Sequence, residues 1–260
     1  MKTKKLLTIT RENYFSEEAQ NQYMGATQFK AFMACEAAAL AELRGAYKRP
    51  VTPALLIGSY VDAYFEGRAE EFKNEHPELF TKQGELKAEY KRAEYIIRRV
   101  TRDELFMRYM SGEKQAIRTG TIEGVPVKIK MDSYHEGRAI VDMKIMKDFG
   151  AIYSPELGRQ TFVEAWGYDI QGAIYQSIEG NGLPFYIAGA TKETEPDIAI
   201  IHVPQHYITS AMEIVRGNIH RFYALKNGES EPIRCEHCDY CKQTKVLDRV
   251  ISLEELDGAA

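Results

Sequence analysis

Two groups of residues in this 260-residue chain carry chemistry in their types and spacing. Near the C-terminus, Cys235-Glu236-His237-Cys238-Asp239-Tyr240-Cys241 sets three thiols close enough to wrap one centre from a single loop. A fourth ligand must come from elsewhere, and Cys35 is the only thiol left to supply it. His237 is the lesser alternative if the centre is zinc. Four thiolates suit a structural Zn2+ or an iron–sulfur cluster; the plain reading is three free thiols on a loop.

The second group is a predicted hairpin, Val127-Lys128-Ile129-Lys130-Met131-Asp132 followed by Ala139-Ile140-Val141-Asp142-Met143-Lys144. Side chains alternate across a strand. Here the odd positions are apolar and the even ones charged, with Ile140 the exception. A turn centred near residues 135–137 sets Asp132 and Asp142 on one face, as a diagonal pair about 7–8 Å apart between backbones. Two such carboxylates can share Mg2+ or Mn2+, and Lys144 points the same way. That set suits phosphodiester hydrolysis: the ion lowers the pKa of a bound water, and Lys144 orients it or stabilises the phosphate oxygens. The plain reading is a half-buried hairpin with a wet charged face.

Three further features bear on these groups. Gly58, Val61, Asp62 and Phe65 share a helical stripe, which makes Asp62 a candidate third metal ligand or half of a salt bridge. Tyr168, Gln171 and Tyr175 recur at helical spacing, as a ladder for phosphates or bases or as ordinary packing. Glu36 falls within the apolar stripe of Phe29, Phe32, Met33, Leu40 and Leu43. Buried there, it needs either an arginine partner or a role as a charge at an active site.

The elements that must position these residues follow from pattern. Residues 1–26 read as an extended lead-in, and Thr27 as the N-cap of one helix from Gln28 to about Leu43. A second helix runs from Ala54 to about Gly67, and residues 68–110 are charged and mostly helical, with acids and bases interleaved as on a solvated face. Strands are expected at Gln115–Ile122, Val125–Asp132, Arg138–Ile145 and Asp197–Val203, with helices at Tyr168–Glu179 and Gln205–Leu225. The order implies α/β or α+β architecture with a central mixed sheet. The reading is one domain over 1–260: a mainly helical part at 1–110, a catalytic sheet core at 111–204, and a helix and cysteine loop at 205–260.

Composition narrows the classes. With 44% hydrophobic and 28% charged residues, a packed core is expected rather than disorder. No apolar run approaches the roughly 18 residues of a membrane span, so no membrane partner and a cytoplasmic location are expected. A net charge of −4 excludes a globally basic nucleic-acid coat but not a local basic groove.

Taken together, these residues resemble the PD-(D/E)xK nucleases of the RecB/RecE-like branch, most nearly the exodeoxyribonuclease VIII-like proteins of phage and prophage. The resemblance runs from about Asn13 to Thr244. It rests on Met24-Gly-Ala-Thr-Gln-Phe-Lys-Ala-Phe-Met-Ala-Cys35-Glu36, Gly58-Ser-Tyr-Val-Asp62, Lys130-Met131-Asp132, Val141-Asp142-Met143-Lys144, Gln171-Gly-Ala-Ile-Tyr175 and the cysteine trio.

The resemblance implies a restriction-endonuclease-like core with a helical N-terminal region. It implies Asp132 as first acidic ligand, Asp142 and Lys144 as the D-x-K step, the Met143 carbonyl as a further ligand, and Gln171 and Tyr175 beside the active site and DNA. Asp62 stands where many relatives carry a metal-binding His, and Asp132 follows Met131 rather than Pro. The split cysteines resemble those that hold a [4Fe-4S] cluster in AddB-type nucleases, with a shorter last spacing.

The expectation is a Mg2+- or Mn2+-dependent DNA exonuclease acting on linear duplex ends. It would serve phage-type recombination, with a single-strand annealing protein as partner and a homo-oligomeric ring among the arrangements to test. The rivals are a non-catalytic DNA-end-binding or recombination-partner module on the same fold, and a redox protein built on the cysteines.

Overall fold

The computed structural model describes residues 6–154, 157–253 and 255. Its spine is a five-stranded mixed sheet in the order β1-β2-β3-β6-β7. β1 (Glu113–Ile122), β2 (Val125–His135) and β3 (Ala139–Met146) form an antiparallel meander. Glu123 and Gly124, at φ 47° and 78°, make the two-residue turn that favours such hairpins.

β3 then pairs in parallel with β6 (Phe185–Thr191), which pairs antiparallel with β7 (Ile198–His202). A parallel neighbour demands a crossover. It is built from the ribbon of β4 (Ile152–Ser154) and β5 (Gly158–Gln160), then α8 (Phe162–Ala165) and α9 (Tyr168–Glu179). Gly167 and Gly180, both left-handed, bracket α9 and fix its ends.

Helices cover both faces. On one side α2 (Ala26–Ala34), α9 and α10 (Gln205–Asn227) bury Phe29, Phe32, Ile174 and Ile219 against Val127, Ile129 and Phe185. On the other, α4 (Pro53–Phe65), α5 (Ala69–Glu75), α6 (Lys91–Thr101) and α7 (Glu104–Tyr109) bury Val61, Phe72, Ile96 and Phe106 against Val141, Met143 and Ala188. Short α1 (Glu17–Gln22) and α3 (Glu36–Leu43) flank the first layer, and α11 (Asp239–Gln243) carries Cys241. Among the described residues, no helix is long and apolar enough to cross a membrane.

Several expectations change. The lead-in is not uniformly extended, because Ser16 caps α1. The long helix expected over 28–43 is two helices: Gly25, not Thr27, caps the first, and the chain becomes extended at Cys35 (φ −165°, ψ 112°) before α3. β6 was hidden because a strand buried on both faces is nearly continuously apolar and shows no alternation. The sequence pattern also offers Gly58 as a point where α4 could approach another backbone closely, but a Cβ there would lie an ordinary 4.0 Å from Ile145 Cβ.

Most consequential is the sheet itself. The turn register pairs Ser133 with Val141 and His135 with Ala139. Yet Val127, Ile129 and Met131 join the α9–α10 core together with Tyr134, while Val141 and Met143 join the opposite core. The alternation of β2 therefore slips by one residue between Met131 and Tyr134, opposite Gln115, which has φ 54°. The two apolar stripes lie on opposite sides of the sheet rather than on one.

Gly172 and Gly217 make a paired test of the layer packing. A Cβ on Gly172 of α9 would meet Ile208 Cδ1 at 2.6 Å and Phe185 Cδ1 at 2.7 Å, whereas one on exposed Gly217 of α10 meets nothing within 4 Å. Gly172→Ala should cost about 1–3 kcal/mol by overpacking. Gly217→Ala should gain up to about 1 kcal/mol of helix propensity. Urea midpoints of the two variants check the signs.

Candidate active site and thiolate cluster

The strand slip creates the first site. Pairing between β2 and β3 stops at Ser133↔Val141, and the next residue of β2, Asp132, uses its carboxylate instead of its backbone. Asp132 Oδ2 accepts from the Met143 N–H at 2.9 Å, and Oδ1 accepts from Gln115 Nε2 at 3.2 Å. Asp132 thus faces the α4 layer, where it lines a small cavity with Asp62, Phe65, Glu66, Met110, Gln115 and Met143. That cavity holds about 10 Å³ for water-sized spheres, roughly one water.

Asp142 is held from the other layer. It is 2% exposed, its Oδ1 accepts from Gln171 Nε2 of α9 at 2.7 Å, and Oδ2 faces the Lys144 ammonium in an ion pair. The two aspartates do not share one face as expected; they approach from opposite layers across the gap where the strands part. Burial first, and then the Asp132 charge, lifts Asp142 to about 6 despite Lys144. Burial works against the charge of Lys144, but the Asp142, Asp132 and Asp62 carboxylates outweigh it and hold its pKa above the ordinary lysine value.

Asp62 comes from α4, whose start is fixed by the Thr52 cap and Pro53. The side chain is open to the cleft, yet the surrounding protein and the charges of Asp132 and Asp142 hold its carboxyl above the usual range. Mutual repulsion of this kind is what a cation relieves.

A second observation points the same way. Gln115 Oε1 is buried with no hydrogen-bond partner among the described residues. An orphaned amide oxygen beside carboxylates is a hard-oxygen donor set, which fits Mg2+ or Mn2+. The carboxylates are spread apart, however. Among the described residues, the four thiols are the only group of three or more such ligands whose donor atoms all lie within 4.8 Å of one another.

The tyrosine ladder serves this site. Tyr175 donates to the Lys130 carbonyl at 2.8 Å, buttressing β2 just before the slip. Tyr168 lies 5.4 Å, ring centroid to Nζ, from Lys144 and 5.2 Å from Lys30. Burial and then the Lys144 charge push Lys30 down to about 8. On β2, Lys128 is 1% exposed and donates to the Tyr14 carbonyl, while Lys130 packs on Phe15 at 4.8 Å and faces Glu66 at 3.6 Å. The even face of β2 is therefore covered by the N-terminal segment rather than wet.

Sequence reasoning missed Glu66, Gln115, Tyr14 and Lys30. Glu66 lies one helical turn beyond Asp62 and carried a readable signal. Gln115 could be placed only by knowing the β1–β2 register.

The second site lies where α3 meets the C-terminal segment. Cys35 Sγ stands 3.6 Å from Cys241 Sγ, and Cys235 Sγ stands 3.9 Å from it, with Cys238 in the same cluster. His237 is exposed and outside the cluster. The backbone turns about these sulfurs: Ala38, Cys238 and Cys241 donate N–H groups to Cys35, Cys235 and Cys238 at 3.5, 3.3 and 3.5 Å. Burial opposes ionisation of Cys235, but the His237 and Cys238 N–H groups outweigh it and draw the thiol down to about 6. Burial pushes the neighbouring Cys35 and Cys238 thiols the other way, so a metal would have to displace their protons.

Glu36 belongs to this second site. Arg221 of α10 grips both its oxygens, at 2.5 and 2.6 Å, and the Ile233 N–H adds a third bond at 2.7 Å. The geometry corrects the alternative of an active-site charge: Glu36 pins the cysteine segment to α3.

A search of curated proteins finds no match. Among solved structures, one from Eubacterium rectale, described as a "Putative exonuclease" and determined at 2.19 Å, superposes with a TM-score of 0.91. The two are 49% identical, over 96% of this chain and 98% of that one. The profile of a family described as a PDDEXK-like domain of unknown function matches residues 25–244. That span holds Asp62, Asp132, Asp142, Lys144, Gln171, Tyr175 and all four cysteines. The parted strands, the covering helices and this match agree, and the chain belongs to the PDDEXK-like family, on a restriction-endonuclease-like fold.

Proposed function

We propose that this protein is a metal-dependent nuclease that hydrolyses phosphodiester bonds of linear DNA from an end. The observation that carries the reading is the buried Asp142 carboxylate, paired with Lys144 and held by Gln171, across a strand gap from Asp132 and Asp62. Family membership and the likeness to the Eubacterium rectale protein support nuclease chemistry. Polarity along an end and a place in phage-type recombination, with single strands passed to an annealing protein, extend that reading.

Asp132, Asp142, the Met143 carbonyl and Asp62 would hold Mg2+ or Mn2+, which when bound acidifies water and offsets charge on the phosphate. Gln171 occupies Oδ1 of Asp142, so Oδ2, the oxygen that faces Lys144, is the one that would turn to the ion. Lys144 brings a cation to the same point, where it orients the attacking water and steadies charge that grows on the phosphate oxygens. Tyr175 and the Met143 N–H keep the two strands at their separation, so the carboxylates do not collapse together.

We further propose that the four thiolates hold a structural metal centre tying the C-terminal segment to α3. The 3.6 and 3.9 Å Sγ separations match the edge of about 3.8 Å expected for tetrahedral zinc thiolate. The three-cysteine run with two-residue gaps is shared with ferredoxin-type clusters. Metal analysis together with the visible spectrum of protein purified without oxygen separates the two.

Asp142→Asn and Lys144→Ala should each lower cleavage of end-labelled linear duplex by at least about a hundredfold in Mg2+ or Mn2+. Far-UV circular dichroism should be unchanged and circular DNA untouched. Full activity in either variant overturns the assignment, and tight DNA binding by wild type without cutting favours a binding module. Separately, Cys241→Ser should empty the thiolate centre, lower the melting temperature and expose residues near Ile233 to limited proteolysis. A variant that melts like wild type would show the centre carries no stability.

A further inference from the structure

We propose that Lys30 binds a backbone phosphate of the substrate strand beside the scissile one. The inference rests on the nuclease reading above and deepens it.

Lys30 leaves α2 and crosses the N-terminus of α9. Its stem runs over Gly167, where a Cβ would meet Lys30 Cδ at 2.8 Å and Cγ at 3.4 Å. Gly167 also has φ 60°, where a side chain is strained, so glycine leaves the lysine stem its path across the start of α9. The ammonium donates to the Trp166 carbonyl at 3.2 Å, which leaves two of its three N–H groups free to bind. It shares the Tyr168 ring with Lys144, the lysine that partners Asp142.

Among the lysines near the carboxylates, Lys30 and Lys114 form no salt bridge within the described residues, and Lys114 lies on the Asp132 side, packed on Phe65. Lys144 has Asp142, and Lys130 has Glu66 at 3.6 Å. No carboxylate of the described residues makes a salt bridge with Lys30, although Asp142 and Asp169 lie within electrostatic reach. When a divalent ion neutralises the carboxylates, an ammonium with no carboxylate partner remains beside them. The anion that enters this cleft in a nuclease is a phosphodiester, and a compact point charge on a flexible stem is suited to it.

The competing role is structural, since the Trp166 carbonyl ends α8 and Lys30 caps it. Lys30→Gln retains a donor for that carbonyl and removes only the charge. Lys30→Met fills the same path with an apolar stem, and Lys30→Arg restores the charge. Binding of a fluorescein-labelled linear duplex is measured in Ca2+ between about 50 and 200 mM salt, with thermal melts of each variant.

Lys30→Gln and Lys30→Met should flatten the slope of log affinity against log salt by about one. They should also weaken binding about tenfold at the low-salt end, and Lys30→Arg should recover both. In Mg2+, KM should rise more than kcat falls. A wild-type slope in whichever neutral variant melts like wild type overturns the role of Lys30 alone. Wild-type protein that binds no DNA removes the nuclease reading, and this assignment with it.

Discussion

Burying a carboxylate between two packed layers is the constraint around which this molecule is arranged. Asp142 sits on the central strand of the sheet at 2% exposure, where an ionised group without partners would be untenable. The amide of Gln171 comes from one covering layer and the ammonium of Lys144 from two residues along the same strand. Everything that positions those two groups is therefore tied to the site. The glycines at both ends of α9 set the angle of Gln171, and the parallel pairing of β3 with β6 holds Asp142 and Lys144 in register.

The same constraint explains why β2 and β3 part company. A regular ladder would satisfy the Met143 N–H with a backbone carbonyl and bring the side chains of 132 and 142 directly opposite. Like charges directly opposite are unfavourable. The one-residue slip sends Asp132 toward α4 while its carboxylate takes over the hydrogen bond that the ladder forfeits. The irregularity thus satisfies the backbone and separates the charges at once. It also leaves a gap open to both layers, into which Asp62 and Gln115 bring their oxygens.

How much of this could be read from residues alone follows from how each signal arises. The meander, α4 and α9 were legible because alternation and helical spacing are local and each has a polar face to mark its period. β6 was not, since a strand covered on both sides has no such face. The break at Cys35 was masked because Ala26–Leu43 has good helix formers throughout; only the thiol turning back on the Ala38 N–H explains it. The slip at Asp132 was out of reach, because it depends on the φ of Gln115 in another strand. The stripe of α4 did place Asp62 beside Asp132, whereas a lysine on a helix surface such as Lys30 carries no signal until the path of its stem is known.

The cysteine cluster brings together residues 206 positions apart. During synthesis a chain grows at about 5–20 residues per second, so Cys241 is added about ten to forty seconds after Cys35. Through that interval α3 has neither its sulfur partners nor the segment that Glu36 anchors, while the residues of the sheet and of the whole first site are being made. Of the two sites, the cysteine cluster is the later to have all its residues made. A product terminated before Cys241 would carry Asp62, Asp132, Asp142 and Lys144 without the fourth sulfur of the cluster.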